Sequence, residues 1–186
     1  MAVAQRMSVE DYKRFVLSGA DGAWELHDGL LREKPGMSLE HGVMPVLLGH
    51  LLLLQLDRTQ FQVVTELRVR RPRATVFLPD LMVIPTSLGR AFRGRPGTLA
   101  IFADPLPLIV EAWSPSTGDY DTDAKLPVYQ QRGDLEIWRI HPYERTLTAW
   151  VRQPDGSYRE PLYRQGAVSP AALPGVTIDL DALFDV

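Results

Sequence analysis

Two segments of the chain, residues 75–84 and 106–113, are apolar at almost every position. A strand with one face in water alternates apolar and polar residues, whereas a strand that is covered on both faces is apolar throughout. Both segments are therefore predicted to be central strands of a sheet. A sheet that contains such strands must be covered on both of its faces.

The rest of the chain shows the periodicity of helices and shorter strands. Helices are predicted at about residues 8–18, 39–56 and 119–132, with a helix or turn at 178–184. Strands are predicted around the turn Asp28-Gly29, at 62–70, and in a meander at 135–140, 146–152 and 157–163. Pro45 has no N–H group, so we expect a kink or a late start in the second helix. These elements predict an α/β fold.

Length and composition restrict the class of protein. A chain of 186 residues that is 45% hydrophobic can bury one core, so we expect a single domain over residues 1–186. The chain has no cysteine, which excludes disulfides, a thiolate zinc site and a cysteine nucleophile. A reducing, cytoplasmic setting fits best, and no segment has the pattern of a signal peptide or a membrane span.

The charge of the chain argues against a broad basic surface for nucleic acid. The formal net charge is -3, so contacts with phosphate groups are expected to be local. Two groups of arginines could supply them: Arg68, Arg70, Arg71 and Arg73, and then Arg90, Arg93 and Arg95. Alternatively, both groups are solvated faces that keep the protein in solution.

Each of the two apolar segments contains one acidic residue, Asp80 in the first and Glu111 in the second. An ionised carboxylate in apolar surroundings costs several kcal/mol unless it is paired or binds a cation. If the two strands are neighbours, both carboxylates could bind one hard divalent ion, which prefers oxygen ligands. Alternatively, each carboxylate lies at a strand end and accepts a hydrogen bond from a helix N-terminus.

Two more charged residues are candidates for the same site. Lys125, fourteen residues after Glu111, is the only lysine after Lys34, and it could bind a scissile phosphate or orient the attacking water. A surface lysine is the alternative. Glu25 stands between Trp24 and Leu26 and is another carboxylate in an apolar frame.

Other kinds of site are not supported. Asp119, Asp121 and Asp123 are spaced like the start of a calcium-binding loop, but the glycine and the final glutamate of that motif are missing. The four histidines lack the spacing of a metal-binding helix, and we find no phosphate-binding loop, dinucleotide fingerprint or nucleophile elbow.

Several short segments, taken in order, are similar to the Uma-two family of endonucleases in the PD-(D/E)XK nuclease superfamily. They are Trp24-Glu25-Leu26-His27-Asp28-Gly29, Pro79-Asp80, Glu111-Ala112-Trp113-Ser114-Pro115-Ser116-Thr117, Lys125-Leu126-Pro127-Val128-Tyr129 with Gly133, Glu136-Ile137-Trp138 and Leu173-Pro174-Gly175. The resemblance runs from about residue 7 to residue 184. Each segment alone is a weak signal, whereas the ordered set is fairly specific.

The resemblance implies a restriction-endonuclease-like fold, a mixed β-sheet flanked by helices. It also implies that Glu25, Asp80, Glu111 and Lys125 converge on a Mg²⁺ or Mn²⁺ site with Asp80 and Glu111 as metal ligands. The superfamily normally has its lysine two positions after the glutamate, where this chain has Trp113, so the role passes to Lys125 on the following helix. His41 stays open as a further site residue, because its family counterpart lies near the start of the same helix.

The resulting hypothesis is hydrolysis of a nucleic-acid phosphodiester, expected in DNA, by a metal held by Asp80, Glu111 and the carbonyl of Ala112. A nuclease-fold module that only binds nucleic acid or a protein is the first alternative. A glycosidase that uses Asp80 and Glu111 is the second, although it leaves Lys125 without a role. We also expect a homodimer, because the aromatic residues of the late meander exceed what one small sheet can cover: Trp138, Trp150, Tyr158 and Tyr163.

Overall fold

The structure is a computed structural model, and it describes residues 6–185. The helices of this part of the chain are α1 (Val9–Leu17), α2 (Leu39–Leu53), α3 (Thr86–Arg90), α4 (Gly118–Tyr120), α5 (Leu126–Arg132) and α6 (Leu180–Phe184), and a π-helical turn, Asp121–Lys125, joins α4 to α5. The strands are β1 (Trp24–His27), β2 (Leu30–Glu33), β3 (Phe61–Val64), β4 (Arg68–Arg71), β5 (Thr75–Phe77), β6 (Leu81–Pro85), β7 (Ile101–Phe102), β8 (Leu108–Ala112), β9 (Glu136–His141), β10 (Thr146–Arg152), β11 (Tyr158–Arg159), β12 (Leu162–Tyr163), β13 (Ala167–Val168) and β14 (Ile178–Asp179).

The strands form two larger mixed sheets and one small ladder. The first sheet has the order β2-β1-β5-β4-β7, and the second has the order β11-β10-β9-β8-β6-β3 with β12 also paired to β10. Strands β8 and β9 are parallel, as are β4 and β7, whereas β6 is antiparallel to β8. The small ladder joins β13 to β14. The predicted mixed α/β fold is confirmed.

The central strands β6 and β8 are covered on both faces. One face of β6, through Leu81 and Val83, packs into a core with the buried side of α2 and with α6. The other face, through Met82 and Ile84, packs against residues of α5 and of the first sheet. Since successive side chains of a strand point to opposite faces, burial on both sides explains why the sequence is apolar at nearly every position.

The sequence predicts a single strand over residues 75–84, but the structure has two strands there. The first part of the segment is β5 in the first sheet, its second part is β6 in the second sheet, and Leu78, Pro79 and Asp80 form the connection. Proline has no N–H to donate to a ladder, so the pairing is interrupted there. The predicted strand 62–70 divides in the same way into β3 and β4, with Glu66 at φ 56° in between. The chain thus passes between the two sheets at residues 65–67 and 78–80. We call these two connections the seam.

Two helices also differ from their predictions. Helix α2 starts at Leu39 without delay, because Ser38 caps it by accepting a hydrogen bond from the N–H of His41, and Pro45 lies inside it. The predicted helix 119–132 is divided into α4, the π-helical turn and α5, and it ends at Gly133 with φ 81°, as the sequence indicates.

The aromatic residues behind the expected homodimer are covered within one chain. Trp138 and Trp150 are buried, and Tyr158 and Tyr163 are partly buried against the two cores. This basis for a homodimer is therefore wrong, while the dimer itself stays a prediction. The first five residues and the last residue of the expected domain 1–186 lie outside the described part of the chain. None of the helices in residues 6–185 is both long and apolar enough to cross a bilayer.

Candidate active site

Strands β6 and β8 bring Asp80 and Glu111 to the same end of the second sheet. The last pair of their antiparallel ladder is Leu81 with Val110, and Asp80 precedes Leu81 while Glu111 follows Val110. The N–H of Ala112 donates to Oδ2 of Asp80 at 2.8 Å, which fixes the aspartate against β8. Both residues thus belong to one group at the seam.

The side chains of Lys34 and His41 hold the carboxylate of Asp80. Nζ of Lys34 lies 2.7 Å from Oδ1, and Nε2 of His41 lies 3.1 Å from Oδ2. Lys34 also donates to the carbonyl of Leu78 at 3.0 Å. Burial raises the pKa of Asp80, but the hydrogen bond from His41 and the charge of Lys34 outweigh it and hold that pKa well below its ordinary value. Asp80 is therefore ionised.

Lys125 is the centre of a second group of charges. Its side chain is 1% exposed, and its Nζ lies 3.0 Å from Oε1 of Glu25, 3.2 Å from Oε1 of Glu111 and 3.1 Å from Oδ1 of Asp121. Burial lowers the pKa of Lys125, but the surrounding carboxylates, Glu111 first, raise it well above its ordinary value. The lysine is an ammonium ion in the interior, which is tolerated only because several carboxylates face it.

Glu111 has one oxygen that the protein leaves free. Its Oε1 accepts from the hydroxyl of Tyr129 at 2.5 Å and from Lys125. Its Oε2 is buried and has no hydrogen-bond partner in the described chain. Burial raises the pKa of Glu111 well above its ordinary value, although the charge of Lys125 acts in the opposite direction. A buried carboxylate oxygen without a partner is rare and requires an explanation.

Glu25 joins the first sheet to this group. It lies on β1, and its Oε1 accepts from the N–H of Leu78 at 2.9 Å as well as from Lys125. Leu78 is part of the connection that leads to Asp80. The hydrogen bonds of Glu25 therefore hold the seam and the lysine in place together.

The π-helical turn explains how Lys125 and Asp121 reach the site. The turn follows α4, where a Cβ atom on Gly118 would overlap the indole of Trp113, so only glycine fits at this position. The ring of Trp113 also stacks on His141, with centroids 4.1 Å apart. Trp113 stands where the superfamily has its lysine, and here its indole packs against Gly118 in the short helix that precedes the turn. Single π-helical turns are frequent at functional sites.

The site contains more carboxyl groups than ammonium groups. Four carboxyl groups, those of Glu25, Asp80, Glu111 and Asp121, face the ammonium groups of Lys34 and Lys125. With all of them ionised, two negative charges remain. Burial accordingly raises the pKa of Asp121, as it does for Glu111. The site can therefore accept additional positive charge.

A cleft opens beside Asp80. Its volume is about 340 Å³, and its polar side is formed by Lys34, His41 and Asp80. Pro45 and Val46 of α2 form part of its apolar side. The cleft gives a ligand a route to the aspartate from solvent.

Part of this group was not predicted from the sequence. Lys34 and Tyr129 were not singled out, and Asp121 was set aside with Asp119 and Asp123 as an incomplete calcium loop. In the structure Asp121 is buried in the site, while Asp119 and Asp123 are exposed. The spacing of Asp121 and Lys125, four residues apart on a predicted helix, is the one signal that could have linked them. His41, which the resemblance left open, contacts Asp80.

The mixed sheet, with acidic residues at the ends of two adjacent central strands and a lysine beside them, defines the restriction-endonuclease-like class. The family model Uma2, described as "Putative restriction endonuclease", matches residues 9–181. The chain belongs to this family, which confirms the resemblance seen in the sequence, and a nuclease-like function follows for the class.

A solved structure supports the same fold. It is described as "a putative nuclease belonging to DUF820" from Anabaena variabilis ATCC 29413, and it is 18% identical to this chain. The similarity covers 96% of this chain and 97% of that one, with a TM-score of 0.73. At this identity the comparison shows the fold alone. No curated protein matches the chain.

Proposed function

We propose that the chain is a Mg²⁺- or Mn²⁺-dependent endonuclease that hydrolyses phosphodiester bonds of nucleic acid, with DNA as the expected substrate. The family supports the reaction class. The observation that carries the metal is the free, buried Oε2 of Glu111 in a site with more carboxyl than ammonium groups. Hard divalent cations prefer such oxygen ligands.

The donor set fits a divalent cation that is only partly coordinated by side chains. Asp80 and Glu111 would hold the ion, together with the main-chain carbonyl of Ala112. Within residues 6–185 there is no group of three acidic or histidine side chains arranged to hold a metal, so water or substrate oxygens would complete the coordination. A cation in such a site polarises a phosphate and lowers the pKa of a bound water.

The residues of the chain have distinct parts in this proposal. The ammonium group of Lys125 stabilises negative charge that develops on the phosphate. Glu25 fixes Lys125 through an ion pair. It would also orient a water molecule or help to hold a second ion. Lys34 and His41 hold the carboxylate of Asp80 in one orientation through its two oxygens. The cleft beside Asp80 admits the substrate backbone.

One observation favours the alternative, a nuclease-fold module that binds nucleic acid or a protein without cleaving. Both oxygens of Asp80 already accept hydrogen bonds, from Lys34 on one side and from His41 and Ala112 on the other. A cation would have to compete with Lys34 for Oδ1. An intact nuclease fold does not require that its site binds a metal or cleaves a substrate.

A nicking assay separates the two functions. Plasmid and single-stranded DNA and RNA are incubated with the protein and Mg²⁺ or Mn²⁺. We expect cleavage that disappears in Asp80→Ala and Glu111→Ala and is retained in the exposed control Asp119→Ala. Calorimetric titration with Mn²⁺ measures metal binding independently. Cleavage that persists in Glu111→Ala would indicate a contaminant, and binding without any cleavage would establish the alternative.

Two further features belong to this proposal. The absence of cysteine supports a reducing, cytoplasmic setting. We also propose that the protein is a homodimer, although the aromatic residues of the meander are covered within one chain.

A further inference from the structure

One cavity of the molecule, apart from the cleft beside Asp80, is lined by arginines. It lies between the start of α1, strand β4, the turn from β4 to β5 and the residue that follows β7. Its volume is about 360 Å³, and it shares no lining residue with the cleft. The lining consists of four apolar residues and of Arg70, Arg71 and Arg73. We call this cavity the arginine pocket.

The arginines of the pocket have few acidic partners. Within residues 6–185 they make one ion pair, in which Nη2 of Arg71 lies 3.5 Å from Oδ1 of Asp28. The side chain of Asp28 is 48% exposed, so water weakens this pair. Three guanidinium groups less one carboxylate leave an excess of two positive charges. The pocket can therefore accept an anion.

Arg71 is the most buried of the three arginines, and one of its nitrogen atoms lacks an acceptor. Its side chain is 20% exposed, whereas Arg70 and Arg73 are exposed residues. Its two terminal nitrogens face the side chains of Gln131 and Asp28. Its Nε is buried and has no hydrogen-bond partner in the described part of the chain. A buried cationic N–H without an acceptor is costly, so an acceptor supplied by a ligand would stabilise it.

The turn that carries Arg73 has an unfavourable backbone conformation. The ladder between β4 and β5 closes at the pair of Arg71 and Thr75, so the turn consists of residues 72–74. Arg73 and the following Ala74 both have left-handed backbones, with φ of 72° and 52°. This conformation is unfavourable for residues that have a Cβ atom, and residues held in it cluster at ligand sites. The carbonyl of Ala74 accepts from the N–H of Gly29 at 2.9 Å, which fixes the turn.

We propose that the arginine pocket binds a terminal phosphate group, that is, a phosphate monoester. Guanidinium groups donate to phosphate oxygens in pairs, which a lysine ammonium group cannot do. A phosphate monoester carries about -1.5 to -2 charges at pH 7, which matches the excess of two positive charges, whereas a carboxylate carries one negative charge. The group belongs either to the end of a nucleic-acid strand or to a small phosphate ester. The inference does not depend on the proposed nuclease activity.

The size of the pocket leaves room for more than the phosphate. Its volume of about 360 Å³ is within the range of small-molecule sites, about 300–1,000 Å³. The apolar part of the lining, which includes Val9 and Pro72, can contact the part of the ligand that carries the phosphate.

Calorimetric titration with inorganic phosphate tests the pocket directly. The titration is done without divalent cations, with chloride keeping the ionic strength constant. We expect saturable binding that is weakened about tenfold or more in Arg73→Gln, because a hydrogen bond to a charged group contributes that much. Arg95→Gln is the matched control, since Arg95 is an exposed arginine outside the pocket. Absence of binding at millimolar phosphate, or equal binding by Arg73→Gln and Arg95→Gln, would overturn the inference. Circular dichroism checks that both variants are folded.

Two pairs of ligands distinguish the sources of the phosphate. One pair is a single-stranded oligonucleotide with a terminal phosphate and the same oligonucleotide with a terminal hydroxyl. The other pair is a nucleoside monophosphate and its nucleoside. If the source is a nucleic-acid end, the phosphorylated oligonucleotide binds more tightly than the monophosphate, and if it is a small ester, the two bind alike. In both cases Arg73→Gln removes the gain in affinity. If neither pair gains affinity from its phosphate, the inference is overturned.

Discussion

At the scale of single residues, Lys125 has the strongest electrostatic surroundings, because Glu25, Glu111 and Asp121 all lie within 3.2 Å of its ammonium group. Carboxylates held this close in the interior depend on a positive charge. Removal of one partner of a buried ion pair leaves the other without compensation. The residue therefore contributes to stability as well as to the proposed chemistry.

We predict that Lys125→Met lowers the free energy of unfolding by about 3–5 kcal/mol, because the side chain keeps its bulk but loses its charge. Urea unfolding followed by circular dichroism measures the change. Lys13→Met is the control, since Lys13 is a surface lysine paired with the exposed Glu10, and it should change stability by less than about 1 kcal/mol. Equal effects of the two substitutions would show that the buried charge is not stabilising.

The sequence indicated which residues are anomalous but not all of their partners. Asp80 and Glu111 could be predicted because an acidic residue inside an apolar segment is apparent from the sequence alone. Lys34 could not, because it lies 46 positions before Asp80 and meets it only in the folded chain. Asp121 was missed for a different reason. In the sequence Asp121 looks like its neighbours Asp119 and Asp123, which are also acidic. It differs from them only in the folded chain, where the π-helical turn buries its side chain.

At the scale of elements, Arg132 connects the end of α5 to both larger sheets. Its guanidinium group donates to both oxygens of Asp134, just before β9, at 2.9 and 3.2 Å. It also donates to the carbonyls of Arg70 on β4 and Phe102 on β7. Asp134 in turn accepts from the N–H of Leu106 at 2.7 Å. A single planar group thus joins segments from four parts of the chain.

We predict that Arg132→Met destabilises the protein by about 3–5 kcal/mol, because it leaves a buried carboxylate and several carbonyls without donors. Arg132→Lys should restore only part of this loss, since an ammonium group cannot reproduce the planar set of donors. Thermal and urea unfolding measure both effects. The exposed Arg164 is the control, and Arg164→Met should leave stability nearly unchanged. A full rescue by lysine would contradict the role of the fork geometry.

The type of most elements could be predicted from the sequence. The division of the predicted strands 62–70 and 75–84 into two strands each could not. Apolar periodicity reports burial, and residues 75–77 and 81–84 are buried alike, so the pattern gives no sign that they belong to different sheets. Pro79 was the local signal of the break. The π-helical turn was not predicted, because its residues have no proline or glycine to mark a break in the helix.

At the scale of the whole molecule, we propose that the chain is one domain. Val69 and Phe77 of the first sheet share a buried core with Met82 and Ile109 of the second. The charged group at the seam also takes Glu25 from one sheet and Glu111 from the other. Neither sheet can lose its structure without exposing part of the core of the other.

We predict that both sheets unfold in one cooperative transition. The four tryptophans allow a direct test, because Trp24 lies in the first sheet and Trp150 in the second. One variant retains only Trp24 and another retains only Trp150, with phenylalanine at the remaining tryptophan positions. Fluorescence and circular dichroism should give the same urea midpoint within each variant. A fluorescence transition of the Trp24 variant that precedes its circular dichroism transition would mean that the first sheet unfolds separately.

The distribution of lysines has a practical consequence for labelling. The chain has three lysines, and two of them, Lys34 and Lys125, belong to the candidate active site. Their side chains are 11% and 1% exposed, against 32% for Lys13 on α1. Among the lysines, Lys13 is therefore the one that an amine-directed reagent reaches most easily on the native protein. Immobilisation or fluorophore attachment at this side chain leaves the charges of the candidate active site in place.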